Sequence, residues 1–498
     1  MLLLGATSAA AGTLTYPGAA PCNTTLQACV QGAARGDRIE IATAVAIDET
    51  ISIRKSVTLT GASGVTPVIG ASSTTRPVRI ETFDDAPLSV SLRGLTLSNA
   101  LILVLLSAGG GHRIEIADCG VSSTAGAAGL LVQAGAPAEI VVRNSDFAAG
   151  AYVVNFFSVQ PAGDVVFTML GNRIAASTSG YDGLYLDLRG AGTTTVNLWS
   201  NVVRDVTVRG VLLVALETAR GTVNVVNNTI DRADGGFFIR TPGVGSTLAV
   251  NLFNNVVTHS RGAYSPGAAL EVEAASPRLT ITAGFNDFFA NAGADVLKGY
   301  SLSSPLFALD PQFVDGPGSD YRLKPASLLV DAGTNAPPGG LPPIDAAGNQ
   351  RVAGGIVDVG AFEFGSSPPT TTTTTITTTP PTTTTTTTTL ACQRVASFEA
   401  ILCRLDELAA AVQGGVPSGP LRDGLLVAVG QAKARTLDAS TVGRPGPTKR
   451  STRRALHALA TFRARLRSRR AKQLDASVRE SLLARAADVA RDLKVGRR

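Results

Sequence analysis

The chain repeats one pattern of apolar and polar positions at intervals close to 27 residues. Its clearest copies read VNLWSNVV at 196–203, VNVVNNTI at 223–230 and VNLFNNVV at 250–257. Asn201, Asn228 and Asn255 share one position in these copies and lie 27 residues apart. We call this position the reference column; its occupants along the chain are Leu95, Cys119, Ser145, Asn172, Asn201, Asn228, Asn255 and Asn286.

Apolar residues flank the reference column at fixed offsets. The positions five before, three before and two after it are apolar in every copy, as in Val196, Leu198 and Val203. The position four before it is polar in nearly every copy. Alternation of this kind predicts a strand with one buried face. One such strand in each short repeat predicts coils that stack on one another.

The reference column interrupts the alternation, so we expect a corner there between two strands. Asn suits a corner because it tolerates left-handed backbone and bonds to nearby main-chain groups. Coils about 4.8 Å apart would bring these amides into a hydrogen-bonded ladder. The prediction is a right-handed parallel β-helix, because a β-propeller needs four strands and about 40 or more residues per blade.

The N-terminal region predicts export and a capped end. Met1–Gly12 has a short apolar core followed by small residues, which is typical of a signal peptide. A short helix should follow, capped by Asn23 or Thr24 and ended by Gly36, to cover the open end of the core. Cys22 and Cys29 are close enough in sequence to form a disulfide. No apolar run reaches the length of a membrane span.

A second strand, opened by glycine, lies between successive copies of the repeat. Its copies begin at Gly183, Gly210, Gly236 and Gly267, and their fifth positions should share one outer face: Asp187, Val214, Arg240 and Glu271. On the other outer face, the row of Asn197, Asn224 and Asn251 is predicted to bind glycan hydroxyls, with a structural ladder as the alternative.

The repeat and its asparagines resemble the parallel β-helix superfamily that includes pectate lyases. That resemblance implies a site on the outer face of one sheet, with calcium-binding carboxylates and a basic residue. The corresponding candidates, if the protein is an enzyme, are Asp182, Asp187, Asp234, Arg240 and Glu271. A pair of Asp residues would also serve a glycoside hydrolase.

Residues 310–364 resemble the closing segment of choice-of-anchor Q proteins. The matching motifs are Asp310–Phe313, Tyr321–Leu323, Val330–Gly333, Asp345–Arg351 and Asp358–Glu363. We expect Asp331, Asp345, Asp358 and Arg351 to form a polar clasp that closes the last coil. A calcium site built from the same carboxylates is the alternative. No other metal or cofactor is predicted.

The rest of the chain differs in composition. Residues 370–389 contain 17 Thr, which cannot build a core and predict an extended linker. Apolar positions at helical spacing after residue 391 predict a bundle of three or four helices. Residues 1–390 have a net charge of −7 and residues 391–498 of +13. The basic run 463–470 should bind an anionic polymer or form a solvated helix face, and a nucleic acid is disfavoured because no aromatic residue interleaves the charges.

These observations predict five regions: a leader (1–20), a capped β-helix (21–300), a closing segment (301–366), a linker (367–390) and a basic bundle (391–498). Cys392 and Cys403 would pair only if Cys392 precedes the first helix of the bundle. The predicted function is display or binding at the cell surface, towards polysaccharide or another envelope polymer, without catalysis. The alternative is a lyase or hydrolase acting on an acidic glycan.

Overall fold

The computed structural model describes residues 11–368 apart from 71–75, 124–127, 151, 160–162, 177–180, 243, 275 and 298–305. It also describes 445–495 apart from 469, 470 and 472, and fifteen positions between 401 and 436. Residues 1–10 of the predicted signal peptide, the Thr-rich run 370–389 and both Cys392 and Cys403 lie outside these residues. Residues 13–16, which the sequence interpretation placed in the leader, instead form the first strand of the fold. The chain divides into two compact units, residues 1–373 and 374–498.

The first unit is a parallel β-helix, which confirms the predicted fold class. A complete coil contributes one strand to each of three parallel sheets, and the coils at the two ends contribute fewer. Sheet A has eleven strands: β1 (Thr13–Tyr16), β2 (Arg38–Ile41), β4 (Val57–Gly61), β7 (Ser89–Arg93), β10 (His112–Ala117), β13 (Ala138–Arg143), β16 (Val165–Leu170), β19 (Thr193–Trp199), β22 (Arg220–Val226), β25 (Thr247–Phe253) and β28 (Leu279–Gly284).

Sheets B and C have ten strands each. Sheet B contains β5 (Val68–Ile69), β8 (Thr96–Ser98), β11 (Gly120–Ser123), β14 (Asp146–Ala149), β17 (Arg173–Ala176), β20 (Val202–Arg204), β23 (Thr229–Asp231), β26 (Val256–Thr258), β29 (Asn286–Phe289) and β31 (Leu306–Phe307). Sheet C contains β3 (Ile51–Ile53), β6 (Arg76–Glu81), β9 (Ala100–Leu106), β12 (Leu130–Ala134), β15 (Val154–Ser158), β18 (Leu184–Leu188), β21 (Arg209–Ala215), β24 (Gly235–Thr241), β27 (Leu270–Ala274) and β30 (Val296–Leu297).

The predicted columns lie in register on adjacent coils. Val196 pairs with Val223, and Val223 with Val250, and all three side chains are buried in one continuous core. In the reference column, the main-chain N–H and the side-chain amide of Asn201 both donate to Oδ1 of Asn228, at 2.9 and 3.0 Å. The same pair of bonds links the reference column from Asn172 to Asn286.

The left-handed corner residue precedes the reference column, so the sequence interpretation was wrong by one position. The amides of the reference column point inward, where they satisfy main-chain groups that the turn exposes. The residue before each of them has a positive φ, and its occupants are Gly94, Asp118, Asn144, Gly171, Ser200, Asn227, Asn254 and Phe285. A bulky residue such as Phe285 is unusual in this conformation.

Helix α1 (Leu26–Gly32) covers the N-terminal end of the core, as predicted. Its N-cap is Thr25, whose hydroxyl accepts the N–H of Ala28, rather than Asn23 or Thr24. The helix ends at Gly32, so Gly36 does not terminate it. A disulfide joins Cys22 to Cys29, and Cys119 is a buried free thiol.

The closing segment packs along the outer side of sheet B. The predicted polar clasp of aspartates and Arg351 therefore does not close the last coil. Its hairpin, β32 (Phe313–Asp315) with β33 (Asp320–Leu323), precedes a loop region whose Phe362 and Val359 pack near Val202 and Val256. Arg351 forms its buried ion pair with Glu363, at 2.9 Å. Asp345 and Asp358 accept main-chain N–H groups inside the segment.

The second unit has a helical core. Helices α2 (Pro445–Leu466) and α3 (Ala476–Val495) pack together. The described positions from 401 to 412 and from 421 to 436 are also helical. Ile401, Leu405, Leu425, Leu459 and Leu482 are among its buried side chains. None of the helices that the structure describes is long and apolar enough to cross a membrane.

Candidate binding surface on sheet C

The outer face of sheet C is unusually apolar for a surface outside the core. Side chains alternate between the two faces of a strand, so those that flank the core-facing Leu186 point outward. In register, one outward row is Leu103, Leu131, Asn155, Tyr185, Leu212, Phe238 and Glu271. The next is Leu105, Gln133, Phe157, Asp187, Val214, Arg240 and Glu273. The apolar members of these rows are half-buried or, like Val214 and Phe238, buried. Apolar side chains grouped on an outer face mark interaction sites.

Four aromatic rings form a cluster in the middle of this face, which we call the aromatic patch. Tyr152 stacks on Tyr185 with ring centroids 5.1 Å apart, and lies 4.8 Å from Tyr181. Phe157 meets Tyr185 edge-on at 5.5 Å. Tyr181 is 42% exposed and forms the outermost ring. The patch therefore offers ring faces and hydroxyl groups on one side of the protein.

Two carboxylates lie beneath the aromatic patch, each held by an arginine. Asp187 is fully buried and accepts the hydroxyl of Tyr185 at 3.1 Å and Nε of Arg189 at 2.8 Å. Asp182 accepts the main-chain N–H of Arg209 at 3.0 Å, with Nη1 of the same residue 3.7 Å away.

Polar groups at the patch remain able to hydrogen-bond. The guanidinium of Arg209 lies over the ring of Phe238, 4.3 Å from its centroid. Oδ1 of Asn155 is buried beside the rings and has no hydrogen-bond partner among the described residues. A few convergent polar groups within an apolar surface are typical of a ligand site.

Burial raises the pKa of two tyrosine hydroxyls of the aromatic patch, Tyr152 and Tyr185. It raises the pKa of Tyr185 to about 12, with the charge of Asp187 adding to the effect. Burial also raises the pKa of Tyr152, reinforced by Asp182. The pKa of Asp182 is itself raised by burial, which Arg209 opposes. At neutral pH the patch thus presents uncharged hydroxyls supported by ion pairs.

The two predicted carboxylates at the patch are poorly placed to act as a hydrolase pair. Asp182 and Asp187 are five residues apart on backbone that stays paired to its neighbours, as in Gly183 N to Arg209 O at 2.9 Å. At about 3.3 Å per residue of extended backbone, their Cα atoms are separated by up to about 16 Å. Glycoside hydrolases place their two carboxyl groups about 5 to 9.5 Å apart.

The remaining acidic and basic candidates lie elsewhere. Asp234 accepts the main-chain N–H groups of Ala263, Tyr264 and Ser265, and so holds the loop before β27. Arg240 pairs in register with Glu273, whose carboxylate is 3.6 Å from its Nε, and not with Glu271. Glu271 lies beside Phe238. The glycine alignment was wrong by two positions here, because Ala269 and not Gly267 occupies the place of Gly236.

The row of external asparagines on sheet A is already hydrogen-bonded. Nδ2 of Asn224 donates to Asn197, and Nδ2 of Asn251 donates to Asn224, both at 2.9 Å. Asn197 and Asn224 are 8% and 5% exposed. The closing segment packs against Asn224 of this row, since a Cβ built on Gly339 would lie 2.3 Å from that side chain. The amides of this row therefore bond to one another, as in the structural ladder given above as the alternative.

Sequence reasoning missed Tyr152, Phe157, Tyr181 and Arg189. Tyr152 and Tyr181 lie in the turns before β15 and β18, outside the repeated phrase. The available signal was the run Val153–Phe157, in which Asn155 is the one polar residue on either face of the strand, whereas a solvated outer face would be polar at every second position.

Comparisons with known proteins add little beyond the architecture. No protein-family model matches the chain, and no curated protein matches it. A crystal structure of pectate lyase Pel9A is similar at a TM-score of 0.38 and 14% identity, over 71% of this chain and 96% of that chain. Among the described residues, no three His, Cys, Asp or Glu side chains are grouped as a metal site requires.

Proposed function

We propose that this protein is an exported, non-catalytic β-helix that binds polysaccharide through the aromatic patch of sheet C. The observation that carries the proposal is the cluster of Tyr152, Phe157, Tyr181 and Tyr185 on the outside of the fold. A pyranose ring has an apolar face of C–H groups that packs on an aromatic ring. Its hydroxyls then find hydrogen-bond partners at the rim.

The neighbouring polar groups support this choice of ligand. Hydrogen-bond donors and acceptors are supplied by Tyr185, Arg189 and Asn155, on or next to the paired strands β15 and β18. They lie beside aromatic rings on which the flat apolar face of a sugar can pack. Successive coils are about 4.8 Å apart, so the sheet repeats along its axis as a linear polymer does. We further propose that residues 301–366 are a choice-of-anchor Q segment and that the protein acts at the cell surface.

The catalytic alternative lacks a supporting observation. Asp187, Asp182 and Asp234 are each engaged by protein donors. We therefore expect no unsaturated product and no new reducing ends when the protein is incubated with polygalacturonate and calcium. Steady product formation that the Asp187→Asn variant abolishes would favour the lyase instead.

Affinity electrophoresis through gels that contain single polysaccharides tests binding. At least one neutral or acidic polymer should retard the full chain. Tyr181→Ala removes the outermost ring and should weaken that affinity by about tenfold, or about 1.4 kcal/mol. Tyr264→Ala removes a tyrosine that is 80% exposed outside the patch and should leave the affinity unchanged. Equal mobility of wild type and Tyr181→Ala in every retarding gel would contradict the proposal.

A further inference from the structure

Helix α2 carries a basic face with no acidic residue near it in sequence. Its 22 residues include six Lys or Arg and no Asp or Glu. The acid-free stretch extends from residue 439 to 474 and holds eleven Lys or Arg. By contrast, α3 mixes Glu480, Asp488 and Asp492 with its basic residues. The charge is therefore concentrated on one helix of the bundle.

Burial separates the two faces of α2. Ala455, Leu459, Phe462 and Leu466 are fully buried in the core of the bundle. The side chains on the opposite side are exposed, and they include Arg453, Arg454, His457 and Arg465. At 100° per residue these four positions fall within an arc of about 120° and extend over about 18 Å. We call this arc, with Arg467 just beyond the helix, the basic face.

The arginines of the basic face lack acidic partners. Within the described part of the chain, Arg453, Arg454, Arg465 and Arg467 make no ion pair, whereas Arg491 of α3 is 2.9 Å from Asp488. Exposed like charges at neighbouring positions of a helix repel one another. A polyanion relieves that repulsion and gains affinity by releasing its own counterions.

We propose that the basic face of α2 binds an acidic polysaccharide. This inference rests on the proposed function and names the polymer class: a glycan that carries carboxylate or sulfate groups. Arg pairs bidentately with such groups. Residues 1–390 have a net charge of −7, so an acidic chain is attracted chiefly to the C-terminal unit.

The basic face fits other anionic partners less well. Phe462 is the one Phe, Tyr or Trp of α2 and is buried, so the basic face lacks the series of exposed Phe, Tyr or Trp rings on which successive nucleic-acid bases stack. Ala460, Thr461 and Ala464 flank the arginines, and these small side chains give no apolar wedge for insertion into a lipid surface. A flexible acidic glycan needs neither.

The test compares two triple variants of the full chain that remove equal charge. Arg453→Gln/Arg454→Gln/Arg465→Gln neutralises the basic face. Arg485→Gln/Arg491→Gln/Lys494→Gln neutralises three exposed cations of α3 and serves as the control. Circular dichroism checks that both keep their helices. Affinity for polygalacturonate, heparin, dextran and duplex DNA is measured between roughly 50 and 200 mM salt.

The basic-face variant should bind polygalacturonate or heparin about tenfold more weakly at low salt, with a salt dependence shallower by about 2 to 3 in log–log slope. The control should bind these polymers with the same affinity as wild type. Dextran carries no charge, so its affinity should be the same for wild type and both triple variants. Preference for polygalacturonate or for heparin identifies carboxylate or sulfate as the bound group.

Equal losses in both triple variants would overturn the inference, because net charge alone would then explain binding. Tighter binding of duplex DNA than of either acidic glycan would overturn it in favour of nucleic acid. Failure of the proposed function looks different. In that case Tyr181→Ala would bind polysaccharide at high salt with the same affinity as wild type, whatever the affinity of the basic-face variant.

Discussion

Asp287 provides a pH-dependent test of how the last coils are covered. The residue lies on β29, between Asn286 of the ladder and the buried Phe288, and its side chain is fully buried. Oδ1 accepts the N–H of Leu309 at 2.8 Å, while Oδ2 has no partner among the described residues. Burial raises its pKa from 3.8 to about 7, opposed by the Leu309 N–H and reinforced by Asp295 and Asp310.

The raised pKa sets the sign and size of the effect. The folded protein keeps a proton at Asp287 that the unfolded chain releases, so the free energy of unfolding falls as the pH rises from about 4 to about 7. Above about pH 7 this decrease in the free energy of unfolding is complete. At about 1.4 kcal/mol for each tenfold difference in proton affinity, the upper limit is about 4 kcal/mol.

Asp287→Asn replaces the protonated carboxyl with a neutral group of the same shape. We expect the variant to match wild type near pH 4 and to be more stable by about 3 to 4 kcal/mol near pH 8. Urea unfolding of the β-helix across this range measures the difference. Asp146→Asn, at a side chain 65% exposed, is the control and should run parallel to wild type. If the free energy of unfolding changed with pH equally in wild type and Asp287→Asn, the reasoning would be refuted.

Three further tests probe the packing of the coils and of the closing segment. Asn228→Ala removes the acceptor of two bonds from Asn201, and urea unfolding should show a loss of about 3 kcal/mol, since buried donors are left unpaired. Gly339→Ala should lower the melting temperature more than Gly340→Ala: both have φ near +85°, but only the first would place a Cβ against Asn224, whereas nothing lies within 4 Å of the second. Arg351→Met should cost about 3 to 5 kcal/mol because it leaves Glu363 buried without its partner, and adding Glu363→Gln should recover part of that stability.

Short-range patterns made the coils predictable. Val196, Leu198 and Val203 follow strand alternation, and stacking places Asn201 directly beside Asn228. The corner itself was misassigned, because Asn227 and Asn228 are both suited to it by residue type. Only the backbone distinguishes the left-handed Asn227 from the inward-facing Asn228.

Features that depend on loop length or distant contacts were harder to predict. The longer loop before β27 shifts Glu271 and Glu273 by two positions, which changes the partner of Arg240. Tyr152 and Tyr181 meet only because two loops of different sequence end side by side. The path of the closing segment depends on contacts across more than a hundred residues, such as Asn227 with Asp358.

Tyrosine-selective footprinting with a bound polysaccharide tests the central claim most directly. The full chain is modified with and without a polymer that retards it, and each tyrosine is quantified by mass spectrometry. Protection should be concentrated at Tyr181 and Tyr185, while the exposed Tyr264 should react equally in both samples. Uniform protection, or protection of Tyr264 without Tyr181, would contradict a binding site on the aromatic patch.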